Sequence, residues 1–174
     1  MTATQATGNQ SSAVRVAITM GDDVSTDAIY PGRFMATVLP AETPQYAFAD
    51  DSEFRGLLKG GSMPSGSALV AGTNFGCGSS REQAASALRG HNLVIIARGF
   101  ARIFLQNAIN LGLQVLVCPG IEASAGDLLE ITAEGIHNRT TGRRYDIQPL
   151  PAARQAIMKA GGLIAFTRQR LRQR

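Results

Sequence analysis

The sequence predicts an α/β domain built around a βαβαβ core. Three short apolar runs, at 68–71, 93–97 and 114–118, are separated by segments with helical patterning. Two of the runs contain three consecutive branched apolar residues, which is typical of strands covered on both faces. Strands joined in this way through helices pair in parallel with right-handed crossovers.

The remaining elements follow from local patterns along the chain. A strand is expected at 14–20, followed by a polar turn at 21–27. Prolines and glycines between 40 and 64 predict a loop-rich excursion with one short helix near 51–58. Helices are expected near 80–88, 101–111 and 151–160, and short antiparallel strands, which make the sheet mixed, at 128–131, 135–136 and 145–147.

Length and composition limit the class of protein. The chain has 174 residues, of which 44% are hydrophobic, enough for one packed domain over 14–165. The polar segment 1–13 lacks a signal-peptide pattern and is expected to be a disordered tail. No apolar run approaches the ~20 residues of a membrane span. Two cysteines make no disulfide framework and favour reduced thiols in a cytoplasmic protein.

The C-terminal segment 166–174 is basic, with four arginines. Cations at a helix end complement its dipole, so a solvated helix end is the favoured interpretation. A nucleic-acid-binding arm is disfavoured because no aromatic platform or binding motif accompanies these charges.

The run 72–82, Gly-Thr-Asn-Phe-Gly-Cys-Gly-Ser-Ser-Arg-Glu, is the most informative segment. It lies between a predicted strand and a predicted helix, and Ser79 with Glu82 forms a capping-box pattern. Free N–H groups at a helix start favour an anion, and Ser79, Ser80 and Arg81 could together bind a carboxylate or phosphate. Many turns of this kind bind nothing, so the turn alone leaves its role open.

Three better-defined motifs are excluded in this run. A Walker loop needs a lysine, and none is present. The dinucleotide fingerprint needs a third glycine where Arg81 stands, and a nucleophile elbow needs a glycine after the serine. The acidic residues Asp22, Asp23 and Asp27 are expected to form turns and caps rather than a metal site.

Two stretches together carry a family resemblance. The first covers 21–34, and the second covers 72–113, including the Gly-Ser-Ser-Arg-Glu segment. In order and spacing they resemble the small subunits of 3-isopropylmalate dehydratase, which are equivalent to the mobile C-terminal domain of aconitase. The similarity spans roughly 14–164, nearly the whole chain.

This resemblance implies a swivelling β/β/α domain and a hydro-lyase activity. It implies a large partner subunit carrying a [4Fe–4S] cluster, and a site completed by this chain. Ser79 falls on the family's catalytic serine, and Asp27 on an acidic residue that organises the serine loop. Ser80 and Arg81 fall on positions that bind a substrate carboxylate. With two cysteines in no cluster-like spacing, the chain itself is expected to hold no cluster or other cofactor.

The resemblance also implies a specificity loop at Phe34, Met35, Ala36 and Thr37. Relatives acting on a longer tricarboxylate have arginine at the third of these positions, whereas this chain has Ala36. An uncharged residue there favours an alkyl-malate, and 2-/3-isopropylmalate of leucine biosynthesis is the first choice. A dimethylmalate dehydratase or homoaconitase small subunit, or a free-standing anion-binding module, remain as alternatives.

Overall fold

The structure is a computed structural model that describes residues 12–60 and 63–173. Its strands are β1 (Ser12–Thr19), β2 (Ala68–Ala71), β3 (Val94–Ala97), β4 (Gln114–Val117), β5 (Leu128–Ile131), β6 (Gly135–Asn138) and β7 (Arg144–Asp146). Its α-helices are α1 (Thr26–Ile29), α2 (Ser52–Lys59), α3 (Glu82–Gly90), α4 (Arg102–Leu111), α5 (Ala152–Lys159) and α6 (Leu163–Arg172). Short 3-10 helices cover Gly32–Phe34 and Thr43–Tyr46.

The strands form one mixed sheet in the order β4-β3-β2-β1-β5-β6-β7. The four strands from β4 to β1 are parallel, and β5, β6 and β7 extend the sheet antiparallel from β1. Strand β1 pairs with β5 through its first half and with β2 through its second half, with a register shift between Val16 and Ile18. The predicted mixed sheet with a βαβαβ core is confirmed.

Both faces of β2 and β3 are buried, as the continuous apolar run in β3 predicts, whereas the edge strand β4 is only partly covered. Alternate residues such as Leu69 and Ile95 face a core that also contains residues of α3 and α4. Their neighbours Val70 and Ile96 face a second core with residues of β5 and β6. Residues of the helices thus cover one face of the parallel strands, and residues of β5 and β6 cover the other face.

Three loops meet at the carboxyl ends of β1, β2 and β3. The Asp23 amide donates to the Thr73 carbonyl at 3.0 Å, and the Gly76 amide donates to the Val24 carbonyl at 2.7 Å. The Phe75 amide donates to the Gly99 carbonyl at 3.0 Å. Parallel strands place their following loops at one edge of the sheet, and these hydrogen bonds bind the loops together there.

The two ends of the chain differ from the simplest expectation. Of the predicted N-terminal tail, residues 1–11 lie outside the described residues, and Ser12 and Ala13 belong to β1. The predicted boundary at 165 falls inside α6, which begins after Gly162 turns the chain with a φ of 116°. Most of the basic segment is therefore helical, and it is exposed from Thr167 to Gln173. In the described ranges, the helices are all too short or too polar to cross a membrane.

Candidate active site

The glycine turn between β2 and α3 has a backbone that requires glycine. Gly76 has a φ of 80°, and a Cβ placed on it would lie 2.2 Å from the Phe104 side chain. Phe75, which precedes it, is fully buried against Phe104, with their ring centroids 5.3 Å apart. The turn is therefore pressed against α4, and a larger residue at position 76 could not be accommodated there without movement.

The predicted capping box at Ser79 is wrong. Helix α3 begins at Glu82, its N-cap is Arg81 with an extended backbone, and no side chain caps it. The Ser79 carbonyl accepts hydrogen bonds from the Arg81 amide at 2.9 Å and from the Thr26 hydroxyl at 3.0 Å. Because these contacts form a turn before the helix, Ser79 lies three residues ahead of the first helical residue.

Ser79 and Ser80 are both exposed at this edge of the sheet. Within the described part of the chain, neither hydroxyl has a hydrogen-bond partner. The Ser79 carbonyl is held by two hydrogen bonds, and both side chains face outward, where a molecule outside the domain can reach them.

Helix α1 holds the serine loop from the side. Thr26, only 1% exposed, donates its amide to the Cys77 carbonyl at 2.8 Å and its hydroxyl to the Ser79 carbonyl at 3.0 Å. Ser25 starts the helix, and its hydroxyl accepts from the Ala28 amide at 3.1 Å. The backbone from Cys77 to Ser79 therefore lies against the first turn of α1.

Arg81 is anchored from two directions. Its Nη1 pairs with the Asp27 carboxylate and donates to the Tyr30 carbonyl at 3.1 Å. The Arg81 side chain is 13% exposed, whereas that of Asp27 is 59% exposed. A Cβ on Gly32 would lie 3.4 Å from Arg81 Nη2, so Gly32 lies directly against the guanidinium. The structure thus brings Asp27, Ser79, Ser80 and Arg81 to one edge.

The predicted specificity loop is a closed turn. The Thr37 amide donates to the Phe34 carbonyl at 2.9 Å, which leaves Met35 and Ala36 at the exposed apex. Phe34 is directed into the domain, where its ring stacks on Tyr46 at a centroid distance of 4.2 Å. Of the four predicted residues, Met35 and Ala36 are therefore the exposed pair, and Phe34 and Thr37 form the half-buried base.

Sequence reasoning missed three residues that position these loops: Thr26, Tyr30 and Arg33. Arg33 binds the carboxylate of Asp50, with Nη1 2.8 Å from Oδ2, and its guanidinium lies 4.5 Å from the Phe34 ring centroid. This pairing holds the pKa of Asp50 below its usual value. The sequence gives no signal for Asp50, because the contact joins residues 17 positions apart.

The two cysteines occupy different environments. Cys118 is fully buried beneath the sheet, and burial raises the pKa of its thiol to about 11. Cys77 lies half-buried in the glycine turn, where its thiol donates to the Asp23 carbonyl at 3.3 Å. Among residues 12–60 and 63–173, no three metal-ligating side chains come together. Four-iron clusters are held by Cys thiolates, and these two separated cysteines do not fit one.

Comparison with known proteins agrees with this geometry. Residues 62–119 match the family described as the aconitase C-terminal domain. The small subunit of 3-isopropylmalate dehydratase from Thermodesulfovibrio yellowstonii is 40% identical, and the match covers 87% of this chain and 90% of the relative. The small subunit from Pyrobaculum neutrophilum is 46% identical over 86% of this chain and 93% of its own length.

A solved structure shares the fold as well. The crystal structure of 3-isopropylmalate dehydratase from Methanocaldococcus jannaschii matches with a TM-score of 0.82 and 36% identity. The match covers 92% of this chain and 95% of that one. The chain belongs to the 3-isopropylmalate dehydratase small-subunit family.

Replacing Thr26 should loosen the serine loop. Thr26→Val keeps the side-chain shape but removes the hydroxyl that donates to Ser79, at a cost of about 1 kcal/mol. We expect the Cys77 thiol to react with a maleimide roughly fivefold faster, since ~1 kcal/mol corresponds to that ratio. Reaction can be followed by mass spectrometry, with buried Cys118 as the internal reference. Thr26→Ser, which keeps a hydroxyl, is the control. An unchanged Cys77 rate in Thr26→Val would show that this hydrogen bond does not hold the loop.

Proposed function

We propose that this chain is the small subunit of a 3-isopropylmalate dehydratase, a hydro-lyase that interconverts 2- and 3-isopropylmalate by loss and return of water. One observation carries the proposal: two exposed serines stand beside an arginine that Asp27 anchors, in a member of this family. The exposed hydroxyls suit a proton acceptor, and the anchored guanidinium suits a substrate carboxylate.

A large partner subunit completes the site in this proposal. Ser79, Ser80, Met35 and Ala36 all face outward at the edge of the domain, so their substrate would be enclosed only when another surface covers them. The partner would carry the [4Fe–4S] cluster, since the two cysteines of this chain do not fit one. That cluster would supply a Lewis-acidic iron for the substrate hydroxyl.

Ser79 is the proposed base. Its Oγ would take the proton from the carbon next to a substrate carboxylate, and the C–H electron pair would form the double bond as hydroxide leaves the neighbouring carbon. Return of water in the opposite orientation gives the isomer. A serine becomes an alkoxide near neutral pH only in a positive electrostatic field. The Arg81 guanidinium and the N-terminus of α3, which begins at Glu82, would contribute to such a field.

Arg81 and Ser80 are proposed to bind a substrate carboxylate. An arginine presents paired N–H donors that match the two carboxylate oxygens, which a lysine cannot reproduce. The Nη1 of Arg81 donates to the Asp27 carboxylate and to the Tyr30 carbonyl. Asp27 would therefore orient the guanidinium, and its remaining N–H groups would bind the substrate carboxylate.

The exposed apex of the closed turn supports an alkyl-malate as substrate. Met35 and Ala36 are uncharged, and Phe34 and Thr37 hold them in place from the base of the turn. Burying a three-carbon alkyl group could contribute about 2 kcal/mol. A third carboxylate at the same place would lose hydration without gaining a partner. These groups favour isopropylmalate over a tricarboxylate. An isopropylmalate substrate would place the reaction in leucine biosynthesis, which we propose to be in the cytoplasm.

The base assignment is tested by Ser79→Ala in the complex reconstituted with a large subunit under anaerobic conditions. We expect kcat to fall at least about a hundredfold, the scale of losing a positioned proton-transfer group, with KM little changed. Ser124→Ala, at an exposed serine before β5, is the matched control, and this chain assayed alone should be inactive. Near-normal turnover in Ser79→Ala would assign the base to another residue.

The substrate assignment is tested by Ala36→Arg in the same complex. In the wild-type protein we expect kcat/KM to be higher for 3-isopropylmalate than for homoaconitate or citrate. In Ala36→Arg, the new guanidinium can pair with a third carboxylate, so the preference should shift towards the tricarboxylates by about tenfold. Gln45→Arg adds the same charge on an exposed part of the second 3-10 helix and serves as control. A wild-type preference for a tricarboxylate would contradict the assignment of the substrate.

A further inference from the structure

The Tyr30 hydroxyl connects the two ends of the specificity turn. Tyr30 is fully buried, and its hydroxyl lies 3.2 Å from the Phe34 carbonyl oxygen and 3.4 Å from the Thr37 carbonyl oxygen. The single phenolic proton is shared between these two acceptors, which bracket the exposed Met35 and Ala36. Burial raises the pKa of Tyr30, so the hydroxyl stays protonated and remains a donor at physiological pH.

Aromatic packing fixes the direction of this hydroxyl. The Tyr30 ring packs edge to face with Phe34 at 6.5 Å and with Tyr46 at 6.1 Å, while Phe34 and Tyr46 stack on each other. Edge-to-face and stacked rings are favourable arrangements of aromatic pairs. The phenol therefore has little freedom to move away from the two carbonyls.

The same residue also contacts the proposed substrate-binding arginine. The Tyr30 carbonyl accepts from Arg81 Nη1 at 3.1 Å, so the backbone of one residue holds the guanidinium while its side chain holds the turn. A shift of Tyr30 would change the position of the turn apex relative to Arg81. Among the described residues, no other side chain contacts both carbonyl ends of the turn through a hydrogen bond.

We infer that Tyr30 is a positioning residue that sets substrate selectivity, by fixing the distance between the turn apex at Met35 and Ala36 and the carboxylate-binding Arg81. This inference rests on the proposed function. Its consequence is that the size of alkyl group accepted depends on the Tyr30 hydroxyl, although that hydroxyl touches no substrate atom.

The test is Tyr30→Phe in the reconstituted complex, assayed with 3-isopropylmalate and with 3-ethylmalate, which is one carbon smaller. Phenylalanine keeps the ring packing and removes only the hydroxyl. We expect the kcat/KM for 3-isopropylmalate divided by that for 3-ethylmalate to fall about fivefold, which is within the range that one methyl group can discriminate. The kcat for 3-isopropylmalate should stay within about twofold of the wild-type value. A general loss of structure would instead lower kcat for both substrates together.

Tyr46→Phe is the matched control. It removes a phenol hydroxyl from the same aromatic cluster, and that hydroxyl has no hydrogen-bond partner in the described part of the chain. The ratio of the two kcat/KM values should stay at its wild-type level in Tyr46→Phe.

A second measurement needs no activity. The Thr37 amide closes the turn, so its hydrogen exchange should quicken in Tyr30→Phe and not in Tyr46→Phe. An unchanged selectivity ratio or an unchanged Thr37 exchange rate in Tyr30→Phe would overturn the inference, even with wild-type activity intact. A wild-type complex inactive on 3-isopropylmalate would contradict the proposed function instead, and the exchange measurement would still decide whether Tyr30 holds the turn.

Discussion

The contact between α1 and the serine loop is the constraint on which the rest of the site depends. Asp27 pairs with Arg81, and Thr26 donates to the carbonyl of Ser79, the proposed base. One four-residue helix therefore positions both Arg81 and Ser79. A helix this short is not stable by itself. It persists because Thr26 and Ile29 are buried, and the core therefore fixes the geometry of the exposed edge.

The same contact explains how side chains at an exposed edge can be held in place. Most of the side chains proposed to meet the substrate, namely Ser79, Ser80, Met35 and Ala36, face outward. The residues that hold the loops in place are buried: Phe75, Thr26 and Tyr30. Charge is distributed in the same way, because Arg81 is largely covered while its partner Asp27 faces solvent. A domain built like this can present a preformed half-site to a partner without rearranging its own loops.

The sequence predicted those parts of the fold that depend on local pattern, and the family resemblance pointed to the candidate residues. The apolar runs located β2, β3 and β4, and the short helix near 51–58 appears as α2. The predicted capping box is wrong because the helix begins only at Glu82. The Ser79 carbonyl instead accepts a hydrogen bond from the Thr26 hydroxyl, 53 positions away, and a contact over that distance leaves no local signal in the sequence. The inward direction of Phe34 was missed for the same reason, since it depends on Tyr46 and on an aromatic cluster formed only on folding.

We propose that Asp27 acts through Arg81, with which it pairs, and not independently of it. A double-mutant cycle of Asp27→Asn and Arg81→Gln, measured as kcat/KM in the reconstituted complex, tests this most directly. If the two residues work as one unit, the double variant should lose no more than the worse single variant, with a coupling of at least about tenfold, as expected for residues in direct contact. Losses that simply multiply would contradict the account and would assign Asp27 a separate role.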